Sequence, residues 1–356
     1  MVRTMHHTLR LLAVLLVLTF ALTPASAEGG GGETFAGRQW NVTRVEAPSA
    51  WARGYVGTGA VIAVIDSGVD VDHPEFAGGK LYRPANCIGA GAAGVCAAGA
   101  SAADDDNGHG THVAGIAAAP LDGAGVAGIA PAARIMPVKV LDATGSGTAA
   151  DVAAGIRYAA ANGAHVVNLS LSQLPVVAQL ASFGVLNPAI GDAIETAAAA
   201  GVLVVVAAGN DGVPLCSHKV FRTGAGLCVG ATDQRDLKSE YSNFGGGLDV
   251  TAPGGSTTPL CNERVLSTHL TTTRSVCADN TPGYSALSGT SMAAPHVAGI
   301  GALLVQAGVP RAAIAARIGA SADDLGTPGY DPVYGYGRVN AGRAVMGDVT
   351  PNWHLL

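Results

Sequence analysis

Five short runs dominate the chain: Ala60–Ile65, Arg134–Val140, His165–Leu171, Val202–Ala207 and Leu227–Ala231. They are rich in β-branched residues and read as continuous apolar stretches, not as alternating ones. A strand with one wet face alternates, whereas a strand covered on both faces is apolar at nearly every position. Between and after these runs lie alanine-rich stretches with helical character, at Thr111–Ala119, Ala149–Asn162, Pro188–Ala200, Ser291–Ala307 and Arg311–Ile318. Thr148 with Asp151 resembles a capping box. Asn187-Pro188 reads as an N-cap followed by proline at the first helical position, and Gly201 stands just past the end of the same helix. Strands alternating with helices require an α/β fold of three layers, a parallel sheet with helices on both faces. No internal repeat is present.

Composition narrows the function. Of 356 residues, 49% are hydrophobic and 13% charged, so the chain can bury a large core and is not of the disordered class. A net charge of −6 leaves no footprint for nucleic acid. No basic amphipathic stretch argues for a membrane surface. At the N-terminus, Arg3 and Arg10 precede the apolar run Leu11–Leu22, and Ala25-Ser26-Ala27 supplies small residues behind it. Residues 1–27 therefore read as a secretory signal peptide, too short in its apolar part for a comfortable membrane span. The mature chain is expected to be secreted, soluble, extracellular and monomeric. All six cysteines lie beyond Ala27. In an exported protein an even count points to disulfides. Six allow fifteen pairings, and neighbour spacing favours Cys87–Cys96, Cys216–Cys228 and Cys261–Cys277. No CxxC spacing argues for zinc.

Open parallel sheets place their sites at the carboxyl ends of strands, where helices begin. Four polar residues fall at such junctions. Asp66 ends the run Val61–Ile65, His109 opens the helix in Asn107-Gly-His-Gly-Thr-His-Val-Ala-Gly115, Asn210 follows the strand in Val204-Val-Val-Ala-Ala-Gly-Asn210, and Ser291 opens the last long helix. A serine hydroxyl needs a base, histidine titrates near neutrality, a buried carboxylate orients that histidine, and a side-chain amide can donate to an oxyanion. Taken singly, each residue is more simply a cap, a turn former or a structural histidine. The order Asp…His…Ser is that of subtilisin, and Gly289-Thr-Ser-Met-Ala293 is not the Gly-x-Ser-x-Gly elbow of an α/β-hydrolase.

Those four windows, together with Tyr330-Asp-Pro-Val-Tyr-Gly-Tyr-Gly-Arg-Val-Asn-Ala-Gly342, resemble the motifs of the subtilases, the subtilisin-like serine proteases, from about Gln39 to Val345. The resemblance implies a catalytic domain over 45–347, preceded by a flexible lead-in over 28–44 and followed by a tail over 348–356. It implies a secreted serine endopeptidase acting on peptides or proteins through an acyl-enzyme, with no cofactor for catalysis. Asp66, His109 and Ser291 would be the triad, with Asn210 and the Ser291 N–H as oxyanion donors. Gly145, Ser146 and Gly147, after Val138–Leu141, would pair with extended substrate, opposite Ser170, Leu171 and Ser172. Ala207, Ala208 and Gly209 would floor the primary pocket. Gln39, Glu75 and Asp122 fall where relatives hold calcium, and the loop 120–126 could add carbonyls. Met292, beside the nucleophile, is a candidate for oxidative inactivation.

Other residues have plainer readings. His112 and His296 are expected in the core, and Asp104-Asp-Asp106 is expected to be a solvated loop. Two departures from the family stand out. The stretch 28–44 is too short for the inhibitory propeptide that many secreted members carry, so folding would be unassisted or helped in trans, or the chain start would be incomplete. Ser172-Gln173 replaces the usual Gly-Gly of the substrate wall, which should narrow or polarise the primary pocket. A narrow-specificity processing protease and an inactive surface-binding module are the competing readings.

Overall fold

The structure is a computed structural model, and it describes residues 32–91, 94–171, 188–216, 225–350 and 353–354. The signal-like segment 1–27, Asn187 and the Ser172-Gln173 wall lie outside the described residues. The strands are β1 (Val61–Asp66), β2 (Ala85–Asn86), β3 (Ala97–Ala98), β4 (Arg134–Lys139), β5 (Val166–Leu169), β6 (Leu203–Ala207), β7 (Leu227–Thr232), β8 (Val250–Pro253), β9 (Val265–Thr268), β10 (Tyr284–Leu287), β11 (Asp324–Leu325) and β12 (Trp353–His354). The helices are α1 (Trp40–Arg44), α2 (Ala47–Trp51), α3 (His109–Ala118), α4 (Ala149–Ala161), α5 (Pro188–Ala199), α6 (Thr290–Gln306), α7 (Arg311–Ala320) and α8 (Ala341–Met346).

Eight strands form one sheet in the order β3-β2-β4-β1-β5-β6-β7-β8, parallel throughout except for β3. The chain leaves β1 toward β2 and β4, then returns to the other side of β1 with β5. That reversal makes the carboxyl end of β1 the switch point, where a crevice opens in sheets of this kind. The expected fold is the one found.

The continuous apolar runs have a direct cause. Ile62 and Val64 of β1 join a core with Val113 of α3 and Val297 and Ile300 of α6. Val61, Ala63 and Ile65 of the same strand join a second core with Ile156 of α4 and Ile194 of α5. Both faces of the strand are buried, so neither can be polar. Thr148 caps α4 as its sequence implies: the Asp151 N–H donates to its hydroxyl at 3.1 Å. Small residues set the layer spacing. A Cβ at Gly110 would lie 2.2 Å from the Gly68 carbonyl, so glycine lets α3 press against the turn that follows β1.

Three disulfides join Cys87 to Cys96, Cys216 to Cys228 and Cys261 to Cys277, the neighbour pairing expected from spacing. Within 28–44, the described part is built against the body. The Phe35 N–H donates to Gly125 at 2.9 Å, and the Phe35 ring meets Tyr284 edge-on at 5.1 Å. No helix among the described residues is long and apolar enough to cross a membrane.

Candidate active site

Asp66, the last residue of β1, is fully buried. Its Oδ1 accepts the Ser67 N–H at 2.8 Å and lies 2.8 Å from His109 Nδ1. A carboxylate acceptor there puts the imidazole proton on Nδ1 and leaves Nε2 with its lone pair. The His109 side chain is 29% exposed. Burial works to lower its pKa, but the charge and hydrogen bond of Asp66, aided by the charge of Asp105, outweigh burial and hold it above the ordinary value.

The turn carrying His109 is held from several sides. The Gly110 N–H donates to Ser67 Oγ at 3.0 Å, and the buried Lys139 ammonium donates to the Ser67 carbonyl and to Asp106, both at 2.6 Å. Asp105 is buried, and its carboxylate accepts the N–H groups of Asn107, Gly108 and Thr111 at 2.9–3.0 Å and the Thr111 hydroxyl at 2.6 Å. Burial alone would raise the Asp105 pKa, but these hydrogen bonds overcome it and hold the pKa below the ordinary value. The run 104–106 is thus not simply a solvated loop: its middle residue caps α3. A plain run of three aspartates gave no signal of that, because the cap depends on the chain folding back.

Ser291 lies in the first turn of α6 and is 8% exposed. It is tied to Ser170, just past β5: the Ser170 hydroxyl donates to the Ser291 carbonyl at 2.8 Å, and the Ser291 hydroxyl donates to the Ser170 carbonyl at 3.2 Å. His109, Ser170 and Ser291 line one cleft of about 210 Å³ with Asn107, Leu141, Gly145 and Leu171. Asn210 follows β6. Its Oδ1 accepts both the N–H and the hydroxyl of Thr290 at 2.9 Å. That leaves Nδ2, which has no hydrogen-bond partner among the described residues. Nδ2 and the Ser291 N–H flank the same side of Gly289, each 3.6 Å from where a Cβ would stand.

The remaining expected residues are spread around this edge. Gly145, Ser146 and Gly147 are exposed in a turn organised by Asp142, whose Oδ1 accepts the Thr144 and Ser146 N–H groups. Ala207, Ala208 and Gly209 are buried at the end of β6 and are not among the residues lining the cleft. Met292 is 2% exposed. His112 and His296 are fully buried, and desolvation lowers their pKa values to about 3 and about 4.

At the far side of α3 the Gln39 carboxamide is engaged with Ala127, accepting its N–H and donating to its carbonyl, both at 2.8 Å. Glu75 accepts the Val126 N–H at 3.1 Å and the Tyr284 hydroxyl at 2.9 Å. Burial, reinforced by the charges of Asp122 and Glu33, pushes its pKa up to about 7 against those hydrogen bonds. Glu75 Oε2 and Glu33 Oε2 are both buried with no hydrogen-bond partner among the described residues. Unpaired buried carboxylate oxygens are what a hard cation satisfies. Sequence reading missed Glu33, which sits in a glycine-rich stretch. Among the described residues no set of three or more His, Cys, Asp or Glu side chains converges to hold a metal ion, so any cation here would depend on backbone carbonyls as well.

Residues 57–337 match the model of the subtilase family. The chain is 39% identical to thermitase of Thermoactinomyces vulgaris over 88% of its own length and 97% of that protein. It is 38% identical to subtilisin Savinase of Lederbergia lenta over 86% of its length and 97% of that protein. A solved protease of Pseudoalteromonas arctica PAMC 21717 superimposes with a TM-score of 0.72 at 29% identity, covering 89% of this chain and 99% of that one.

Proposed function

The chain belongs to the subtilase family and is a serine-type endopeptidase, and on that premise we propose that it cleaves peptide bonds with Asp66, His109 and Ser291 through an acyl-enzyme. The observation that carries this reading is the 2.8 Å contact of His109 Nδ1 with the buried Asp66, in a cleft whose lining includes both His109 and Ser291. Nε2 of His109 takes the Ser291 proton as Oγ attacks the scissile carbonyl carbon. Negative charge moves to the carbonyl oxygen, where Asn210 Nδ2–H and the Ser291 N–H receive it. His109, now cationic beside Asp66, returns the proton to the leaving amine, and the C–N bond breaks to leave an ester on Ser291. Water, activated by the same nitrogen, reverses the attack and frees Ser291. In the structure Ser291 Oγ donates to Ser170; turning toward Nε2 is the movement substrate binding has to drive.

Substrate would lie extended between 145–147 and 170–171, with its main chain pairing to both walls. Gly147 N–H and Gly145 C=O make no hydrogen bond with the described residues, which leaves that edge free to receive it. The leader at 1–27 supports export, and 45–347 is taken as the catalytic domain. We also propose a structural calcium, held by the unpaired buried oxygens of Glu33 and Glu75 with carbonyls of the loop 120–126; Asp122, whose Oδ1 accepts the Ala124 N–H, adds only its charge. The ion would supply charge and rigidity there, since subtilases need no catalytic cofactor. A serine-reactive phosphonate should label Ser291 in the wild type, and Ser291→Ala should abolish both labelling and peptidase activity. Folded, calcium-supplied protein that resists the probe would instead favour the binding module.

A further inference from the structure

Asn210 makes no hydrogen bond through its own backbone among the described residues. Its main chain is held only through its neighbours, and one side chain supplies most of those anchors. Asn243, in the segment between β7 and β8, is fully buried. Its Nδ2 donates to the Ala208 carbonyl at 3.0 Å, and its backbone N–H donates to the Gly209 carbonyl at 3.0 Å. Its Oδ1 accepts the N–H groups of Asp211 at 3.0 Å and Val213 at 3.2 Å. Two of these bonds lie before Asn210 in the chain and two lie after it. Neighbouring bonds from Gly212 N–H to Tyr241 O at 2.8 Å and from Phe244 N–H to Val213 O at 3.0 Å extend the clamp. Gly209 has φ +105°, and a Cβ there would stand 2.4 Å from Asn243 Nδ2. The carboxamide therefore occupies the space that a side chain at 209 would need, so the turn and its buttress fit as a pair.

We infer that Asn243 is a positioning residue that aims the Asn210 amide at the developing oxyanion. It touches neither substrate nor the reacting atoms and acts only through Asn210, so the inference rests on the reading of Asn210 as an oxyanion donor. A donor displaced by about 1 Å can lose about 10²-fold in rate, and the loss at Asn243 is capped by the loss of the donor itself, about 10²–10³ in kcat. An oxyanion donor acts in the transition state and not in the ground state, so KM stays nearly unchanged.

The test is a double-mutant cycle on the full chain. Asn243→Ala, and the isosteric Asn243→Asp, which keeps the acceptor and loses the donor to Ala208, should each lower kcat at least about tenfold with KM within about twofold. In an Asn210→Ala background the same changes should lower kcat by less than about threefold. Ile318→Ala, buried in α7 far from the cleft, serves as a stability control and should lose melting temperature with kcat unchanged. Should Asn243→Ala fail to fold, Asn243→Asp carries the cycle. Equal losses in both backgrounds, or full kcat in a folded Asn243 variant, would overturn the inference while leaving Asn210 as the donor. Full kcat in Asn210→Ala alone would overturn the oxyanion reading itself.

Discussion

The first turns of α3 and α6 present the two side chains proposed to react, yet they are finished in opposite ways. At the start of α3 the Gly108 and Thr111 N–H groups donate to the Asp105 carboxylate, while those of His109 and Gly110 go to Asn107 and Ser67. Neither helix has an acidic residue within its own first turn, and at α6 the Thr290 N–H meets only the neutral amide oxygen of Asn210. A helix N-terminus carries roughly half a positive charge. At α3 the Asp105 carboxylate, its pKa held low, opposes that charge beside the histidine proposed to become a cation. At α6 no carboxylate opposes the charge, beside the place where the proposed mechanism forms an anion. The same backbone end serves base or oxyanion according to what is placed over it.

Several substitutions break this contrast, and their expected effects differ widely. Ser291→Ala removes the proposed nucleophile and should lower kcat by about 10⁶, the size of the corresponding loss in subtilisin itself; steady-state hydrolysis of a peptide substrate measures it. Asn210→Ala empties the α6 side of its proposed donor while leaving the helix in place. It should cost about 10²–10³ in kcat, a magnitude also known from subtilisin, with KM little changed.

Asp105→Ala attacks the α3 side. Removing a negative charge that helps hold the His109 pKa up should move the acid limb of the kcat/KM profile to lower pH. The lost cap should cost about 1–2 kcal/mol of stability. The sign can be followed in the melt. A histidine whose folded pKa is raised contributes stability below its unfolded pKa, near 6.5, and loses it as pH rises through the folded value. The Asp105→Ala deficit should therefore be larger between about pH 4 and 6.5, where Asp105 is still charged, than above the folded His109 value, and should shrink again in stronger acid. Smallest in its effect on turnover is the cation region. Chelation should lower the melting temperature and calcium should restore it, while Glu75→Gln should blunt that response with kcat within about twofold.

Which parts could be read from sequence follows from the range of the interactions that make them. β1 and β4 to β7 are legible because burial on both faces forces a continuous apolar run. The two-residue strands at Ala85–Asn86 and Ala97–Ala98 are not, being too short to carry any pattern, and Val250–Pro253 ends in a residue that argues against a strand. Asp66, His109, Asn210 and Ser291 stand out because each sits at a strand–helix junction with small flanking residues. Their supports do not. Asp105 caps by turning back on the next helix, and Asn243 holds the neighbours of Asn210 from a separate segment. Gln39 is an expected cation ligand whose carboxamide pairs with Ala127, while the unpaired buried oxygens belong to Glu75, which the sequence offered, and to Glu33, which it did not. Local patterns reveal groups that do chemistry; the groups that aim them are brought in by the fold.

Rapid-quench turnover of an activated peptide ester, followed by mass spectrometry of the intact chain and its digest, goes to the centre of this account. An acyl group should build up within the first turnover on the peptide containing Ser291, and should be absent in Ser291→Ala. An active enzyme that turns over the ester with no adduct, or with the acyl group on another residue, would contradict it.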